Sequence, residues 1–410
     1  MSEFGMGKAE SRAALAVAAA ALGYFVDVYD IWLYAVLRKT SLISLGITDP
    51  KQIQAIGEWL LNWQMAGFMI GAVGFGVLSD KKGRLAVLFG SILTYSLANI
   101  ANGFVQDVNA YAVCRLVAGM GLAGELGAGI ALVSELFPPK KRGWATTLVA
   151  FTGVAGSVAA AVMGSKFDWR ISYFIGGGMG LALLLLRLGV LESSMFEKAS
   201  KVEVARGRIL DLFKTKERFT RYIAAILAGG PVWFFAGMFM TFGPELQTAL
   251  GVQAPKEAPA IVLMGAVGLT LGDLIFGGLS QLIKSRKKAM MAAFAVLTVG
   301  MGVILAFART GEAFVWLTFA AGLGAGYWAV YVTTAGEVFG TNLRGTVAIT
   351  APSFVRGLVI PLTMARTMMT PALGLVTATV ILGVGSILAA VWAVDHLPET
   401  YGTDLDYLET

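Results

Sequence analysis

The chain has 410 residues, of which 57% are hydrophobic and only 14% charged, with a formal net charge of +6. A soluble protein of this size needs far more charge to cover its surface, and a mean hydropathy of +0.72 points to lipid as the surrounding solvent. The positive balance does not indicate nucleic acid, because Lys and Arg gather at alternate ends of apolar runs, as the positive-inside bias requires.

Those runs are long enough to cross a hydrocarbon core of roughly 30 Å as helices. In chain order they fall at 13–37, 54–79, 85–105, 110–134, 144–165 and 170–191, then at 220–243, 259–282, 289–308, 313–336, 346–367 and 372–395. The expected fold class is an all-α membrane protein with twelve transmembrane helices in two six-helix pseudo-repeats. Residues 1–191 form the N-terminal bundle, 192–219 a linker, and 220–410 the C-terminal bundle with a short tail. The linker alternates in charge and carries an amphipathic helical piece around Ile209, Leu210, Leu212 and Phe213. The Lys/Arg excess puts both termini and the linker on the cytoplasmic side of the cell (inner) membrane. Pro231 in span seven, and Pro352 and Pro361 in span eleven, are expected to bend those helices by removing backbone donors. Gly67 and Gly71 in span two, and Gly119, Gly121, Gly124, Gly127 and Gly129 in span four, give small faces that let helices approach closely.

The two halves repeat one another. Glu135-Leu136-Phe137-Pro138-Pro139-Lys140-Lys141-Arg142-Gly143 returns as Glu337-Val338-Phe339-Gly340-Thr341-Asn342-Leu343-Arg344-Gly345. The same gap-free offset, roughly 200 residues, carries Gly76 onto Gly278, Arg84 onto Arg286 and Gly124 onto Gly326. Duplicated apolar halves meeting around a midplane site are a common construction of secondary transporters.

Gly76-Val77-Leu78-Ser79-Asp80-Lys81-Lys82-Gly83-Arg84, between spans two and three, resembles the signature loop of the major facilitator superfamily. It departs from the usual form at Leu85, where a further basic residue is common, and the second copy has Leu282 in place of Asp80. Arg115 to Glu125 resembles the Arg-x-x-x-Gly-x-Gly-x-Gly run of span four. Leu191 to Glu197 is similar to a Pro-Glu-Ser-Pro motif that has lost its prolines, and Pro398-Glu399-Thr400-Tyr401-Gly402 matches the Pro-Glu-Thr-x-Gly motif after span twelve. Within the superfamily the resemblance is to metabolite–proton symporters and organic-ion transporters. Asp27-Val28-Tyr29-Asp30 is similar to the Asp-x-x-Asp of aromatic-acid and related carboxylate symporters, and span five lacks the Gly-Pro motif of drug antiporters.

The resemblance implies a carrier working by alternating access, with proton-coupled uptake of a small organic anion, a carboxylate, as the first reading. The alternatives are an organic-cation or sugar carrier of the same fold, or a non-transporting receptor-like relative. The partners expected are a small-molecule substrate, H+ and the lipid bilayer, with no nucleic acid, and the protein is expected to be a monomer. Cys114 and His396 are the lone Cys and His, and no metal-ligand cluster or phosphate-cradling loop is present in the sequence. No cofactor, no metal and no enzyme activity are therefore expected.

Three groups of residues carry the expected chemistry. Asp27, Asp30 and Glu125 are carboxylates at bilayer depth, each costing roughly 2.5–3.5 kcal/mol when ionised. Asp27 and Asp30 share one helical face, and these three are the candidate proton carriers, with a static pair between one Asp and Arg115 as the alternative. Gly76, Asp80, Lys81, Gly83, Arg84, Glu135 and Arg142, with Glu337 and Arg344 in the second half, are candidates for an inner gating latch. Arg356, Tyr327, Trp328, Tyr331, Trp233 and Arg115 are candidates for substrate binding, with Phe234 and Phe235 as further aromatic wall. An arginine at the depth of Arg356 needs a partner: either a substrate carboxylate, which guanidinium binds with two parallel hydrogen bonds, or Asp273 in span eight. Glu58, near the outer end of span two, is expected to be interfacial.

Overall fold

The computed structural model describes the backbone of residues 3–82, 84–136, 139–191, 209–402 and 409. Within these, the side chains of 3–17, 19, 20, 77, 79–82, 84–86, 88, 125–136, 139–151, 154, 189–191 and 341 lie outside the described set.

Six helices make up the first half: span one Glu3–Ser44, span two Pro50–Lys82, span three Arg84–Asn102, span four Val108–Leu136, span five Pro139–Lys166 and span six Trp169–Leu191. A 3-10 turn at Ile209–Phe213 follows, its Leu212 buried. The second half opens with span seven, Lys216–Phe235, which continues as a π-turn at Ala236–Thr241 and is followed by a short helix, Gly243–Ala249. Spans eight, nine and twelve are Ala258–Leu282, Arg286–Phe307 and Leu375–His396. Among the described residues seven helical stretches are long and apolar enough to cross a membrane by themselves.

Spans ten and eleven are each built from two helices. In span eleven, Thr341–Gly357 gives way to Val359–Leu373 at Leu358. Pro361 has no N–H to bond the Gly357 carbonyl, so the ladder is interrupted where the sequence places a proline. In span ten, Gly311–Ala325 stops and Trp328–Glu337 starts. No proline marks this second break.

Glycines set the helix spacing in both halves. A Cβ on Gly67 would lie 2.1 Å from the Leu116 carbonyl oxygen, and one on Gly119 2.2 Å from that of Gln64, so spans two and four touch backbone to backbone. Spans eight and ten repeat the arrangement: a Cβ on Gly272 would lie 2.1 Å from the Leu323 oxygen, and one on Gly326 2.1 Å from that of Leu269. In lipid, where apolar side chains gain nothing by leaving water, such close contact is a main source of helix association.

Between the halves, span two packs on span eleven and span five on span eight. At the end expected to face outward the contact is ionic. Arg38 of span one pairs with Glu245 at 2.5 Å, and Arg366 of span eleven pairs with Glu58 of span two. Glu58 is only 5% exposed, so it is buried between the halves and not at the membrane interface as its sequence position suggested. Thr367 donates to the second Glu58 oxygen at 2.6 Å, and Thr363 to Asn62 at 2.8 Å.

Candidate functional site

Arg356 lies in the last turn of the first span-eleven helix, one residue before the break, and is 3% exposed. Its guanidinium carbon sits 4.5 Å from the ring centre of Phe68 in span two, 5.3 Å from Trp233 in span seven and 6.0 Å from Trp328 in span ten. One wall of this aromatic box therefore comes from the first half and two from the second. Nε and Nη1 of Arg356 have no hydrogen-bond partner among the described residues. Asp27 and Tyr24 of span one, and Tyr331 of span ten, lie within electrostatic reach of the cation. Tyr24 in turn feels Asp273, Arg356 and Asp27 together.

The helices that converge here do so for local reasons. The interruption after Gly357 leaves Arg356 on the final turn, and a Cβ on Gly357 would lie 2.3 Å from Met69 Sδ, so span eleven meets span two directly at this level. Trp328 is the first residue of the restarted span-ten helix, tilted at 5.0 Å against Tyr331 one turn on and at 6.2 Å edge-on to Trp233. Beside the box, Trp32, Tyr34, Met65, Trp233, Thr241 and Val359 line a narrow crevice between the halves.

Arg356 and Asp273 do not form the ion pair that was one reading of the sequence. Asp273 Oδ1 instead accepts from the Ala329 N–H at 2.8 Å. Arg115, taken with Arg356 as a substrate candidate, lies elsewhere. It pairs with Asp30 at 3.6 Å, both side chains 0% exposed, with the rings of Tyr34 and Tyr173 at 5.4 and 5.5 Å from its guanidinium carbon. Tyr173 and Tyr111 share a hydrogen bond at 2.8 Å, and Ser41 faces Tyr111 at 3.3 Å. This polar cluster joins spans one, three, four and six within the first half, with Asn99 alongside Asp30.

The other aromatic candidates divide. Tyr327 is fully buried, donates to the Ala228 carbonyl at 2.9 Å and packs edge-on against Phe294. Phe234 and Phe235 are also buried, packed on Phe239. Tyr331 keeps its hydroxyl without a partner, 1% exposed, beside Trp328. So Trp233, Trp328 and Tyr331 gather around Arg356, and Tyr327, Phe234 and Phe235 belong to packing.

Of the latch residues, Gly76 has open space where a Cβ would stand. The side chains of Asp80, Lys81, Arg84, Glu125, Glu135 and Arg142, and Gly83 as a whole, lie outside the described set. In the second half, Glu337 faces Arg286 at 3.6 Å and accepts from Thr400 at 2.7 Å, and Arg344 follows at the start of span eleven. Glu399 of the Pro-Glu-Thr motif is tied to the start of span nine, accepting from Ser285 at 2.5 Å and from the Arg286 N–H at 2.9 Å. Burial raises the affinity of Glu399 for a proton, but the bonds from Ser285 and from the N–H groups of Arg286, Tyr401 and Lys287 outweigh it and hold the carboxyl below its usual range.

Two things were missed from sequence. Glu58 with Arg366, and Arg38 with Glu245, join the halves across 308 and 207 positions, which no local spacing reveals. The role of Asp273 depends on a break in span ten whose only signal was its dense glycine, Gly322, Gly324 and Gly326.

The comparisons agree with the geometry. The 4-methylmuconolactone transporter ascribed to Cupriavidus pinatubonensis is 26% identical over 335 residues, 79% of this chain and 76% of its own length. The niacin/nicotinamide transporter ascribed to Bacillus subtilis is 25% identical over 352 residues, 82% of this chain and 84% of its own. The 3-(3-hydroxy-phenyl)propionate transporter of Escherichia coli is 27% identical over 298 residues, 67% of this chain and 72% of its own. In structure, a proton:xylose symporter, XylE, superposes with a TM-score of 0.67 over 97% of this chain and 98% of its own at 16% identity, a likeness of fold alone. The family model of the major facilitator superfamily matches residues 20–364. With that match, over helical spans that superpose on a solved member of the fold, the chain belongs to the major facilitator superfamily and is a membrane transporter.

Proposed function

We propose that this transporter carries a small planar organic acid by alternating access, coupled to protons, with Arg356 holding the carboxylate. The observation that carries this is a guanidinium buried where the two halves meet, with two of its nitrogens unpartnered and three aromatic rings around it. A desolvated cation with open donors is costly unless an anion completes it, and a carboxylate does so with two parallel bonds. Rings at these distances suit a flat substrate, which the relatives named for niacin, methylmuconolactone and hydroxyphenylpropionate make concrete. A site contacted from spans two, seven, ten and eleven is closed off only when both halves meet, as alternating access requires.

Asp27, opposite Arg356, is the first candidate to carry the proton, with Asp30 and Glu125 behind it. Its carboxylate competes with the substrate for the same cation, so protonation of Asp27 releases Arg356 for the anion, and the two cargoes bind together. The bundles 1–191 and 220–410 rock as units about the 192–219 linker. Both termini face the cytoplasm of the cell membrane, and one chain suffices. The pairs at the far end, Glu58 with Arg366 and Arg38 with Glu245, then close the external side, and the described conformation is shut outward.

Reconstitution tests this. Purified protein in liposomes is offered aromatic and aliphatic carboxylates, organic cations and sugars, with and without an inward proton gradient. Gradient-driven accumulation confined to carboxylates is expected. Arg356→Lys keeps the charge but loses the paired bonds, and should weaken carboxylate binding about tenfold, about 1.4 kcal/mol. Uptake of cations or sugars alone, or unchanged affinity in the lysine variant, would overturn the assignment.

A further inference from the structure

Span ten stops being a helix at the level of the site. Gly326 (φ −78°, ψ 55°) and Tyr327 (φ −116°, ψ 13°) leave the α region, and a new helix starts at Trp328. A restart exposes N–H groups that have no partner one turn back. Water or an N-cap side chain can take them, but Tyr327 provides no side-chain cap. The acceptor comes from the neighbouring helix: Asp273 Oδ1 takes the Ala329 N–H at 2.8 Å. The two helices are flush here, since a Cβ on Gly326 would lie 2.5 Å from the Asp273 nitrogen and 2.1 Å from the Leu269 oxygen. A carboxylate at a helix N-terminus also meets the positive end of the helix dipole.

The residue that begins the capped helix is Trp328, whose ring stands 6.0 Å from the Arg356 guanidinium carbon. We infer that Asp273 is a positioning residue for substrate recognition: by capping the restarted span-ten helix it fixes where Trp328 begins, and so holds that ring against Arg356. This rests on the reading of Arg356 and its aromatic box as the substrate site. What the cap demands is an acceptor oxygen of the right reach. Asparagine supplies one without charge, leucine fills the space without one, and glutamate keeps the charge but carries it one methylene too far.

The roles separate in one experiment on the full-length protein. Asp273→Leu and Asp273→Glu should raise the apparent KM for the transported carboxylate about tenfold while the rate at saturation stays within about twofold, and Asp273→Asn should restore KM to near the parent value. The ring is read without substrate by labelling with 5-fluorotryptophan and assigning the Trp328 resonance through Trp328→Phe. That resonance should move in Asp273→Leu and Asp273→Glu and stay in place in Asp273→Asn. If Asp273→Asn fails as badly as Asp273→Leu and loses proton-driven accumulation, the carboxylate is a proton carrier and the positioning role is wrong. An unmoved Trp328 resonance in Asp273→Leu would also sink it. Should Arg356→Lys bind substrate normally while the Trp328 resonance shifts as stated, the substrate assignment fails and the structural link from Asp273 to Trp328 stands.

Discussion

Arg115 and Arg356 both lie inside membrane-spanning helices, 0% and 3% exposed, and both rest against aromatic rings. Their surroundings differ in one respect. Arg115 meets the carboxylate of Asp30 within its own half, behind a shell of tyrosines. Arg356 stands between the halves, with Asp27 within electrostatic reach and no ion pair to a described carboxylate, among three rings drawn from three spans. A buried charge paired within one half belongs to that half's framework, whereas one at the seam between the halves stands where the proposed carrier would open. Sequence could find both arginines, since each interrupts an apolar run, but not tell them apart. The difference lies in which helices pass beside them.

Breaking the matched pair should have the largest effect. Asp30→Ala leaves the Arg115 cation buried without its anion, which costs about 3–5 kcal/mol, read as a lost yield of folded protein and a lower unfolding midpoint in detergent. Asp30→Leu combined with Arg115→Met should recover most of that loss. Arg356→Met removes a cation that has Asp27 only within electrostatic reach, and should lower the midpoint by clearly less than Asp30→Ala. Equal destabilisation by Asp30→Ala and Arg356→Met would erase the distinction between framework and site.

The external closure is next in size. Glu58→Gln keeps the shape of the contact but removes the anion that holds Arg366 across the halves. A shift of about 1.4 kcal/mol toward outward opening would raise the open fraction about tenfold. Met65→Cys, in a Cys114→Ser background, reports it: Met65 lines the crevice between the halves and is 1% exposed. Reaction with an impermeant maleimide added outside should speed up about tenfold in Glu58→Gln. An unchanged rate would mean that these pairs do not set the closure.

The smallest effect belongs to Glu399, which accepts five bonds, three of them from Ser285, Arg286 and Lys287 and so tying the segment after span twelve to the start of span nine. Its carboxyl is held below the ordinary value of 4.5. A depressed folded-state value means the stabilisation is complete above the unfolded value and is lost as pH falls through the folded one. The parent protein should therefore lose stability on acidification below about pH 4.5 more steeply than Glu399→Gln. The two melting profiles should approach one another at the acid end. Parallel profiles would show that the carboxylate charge contributes nothing.

Much of this molecule was legible before its coordinates. Length and apolarity locate helices because lipid leaves the backbone no other way to satisfy its polar groups, and the Gly67, Gly71 and Gly119 faces proved to be the contacts between spans two and four. Pro361 announced the interruption of span eleven. The interruption of span ten had only its dense glycine to announce it, because its acceptor for the Ala329 N–H, Asp273, stands on another helix. Glu58 misled for a similar reason: a carboxylate near a span end usually reaches for headgroups, and only the tertiary approach of span eleven offers it Arg366 instead. The Pro-Glu-Thr motif was legible as a pattern, but its physical purpose, holding the start of span nine, exists only once the chain has folded back on itself.

Phe242 sits between the two ion pairs of the proposed external closure, with the guanidinium of Arg38 at 4.6 Å from its ring centre and that of Arg366 at 4.5 Å. Two cations of like charge share one ring, each steadied by its own carboxylate. Water that reaches the ring to hydrate one arginine strips the other of the same apolar cover, so the second pair loosens as the first parts. On the proposed orientation the two locks are expected to fail together, so that opening to the outside would be a single cooperative event with Phe242 as its stopper.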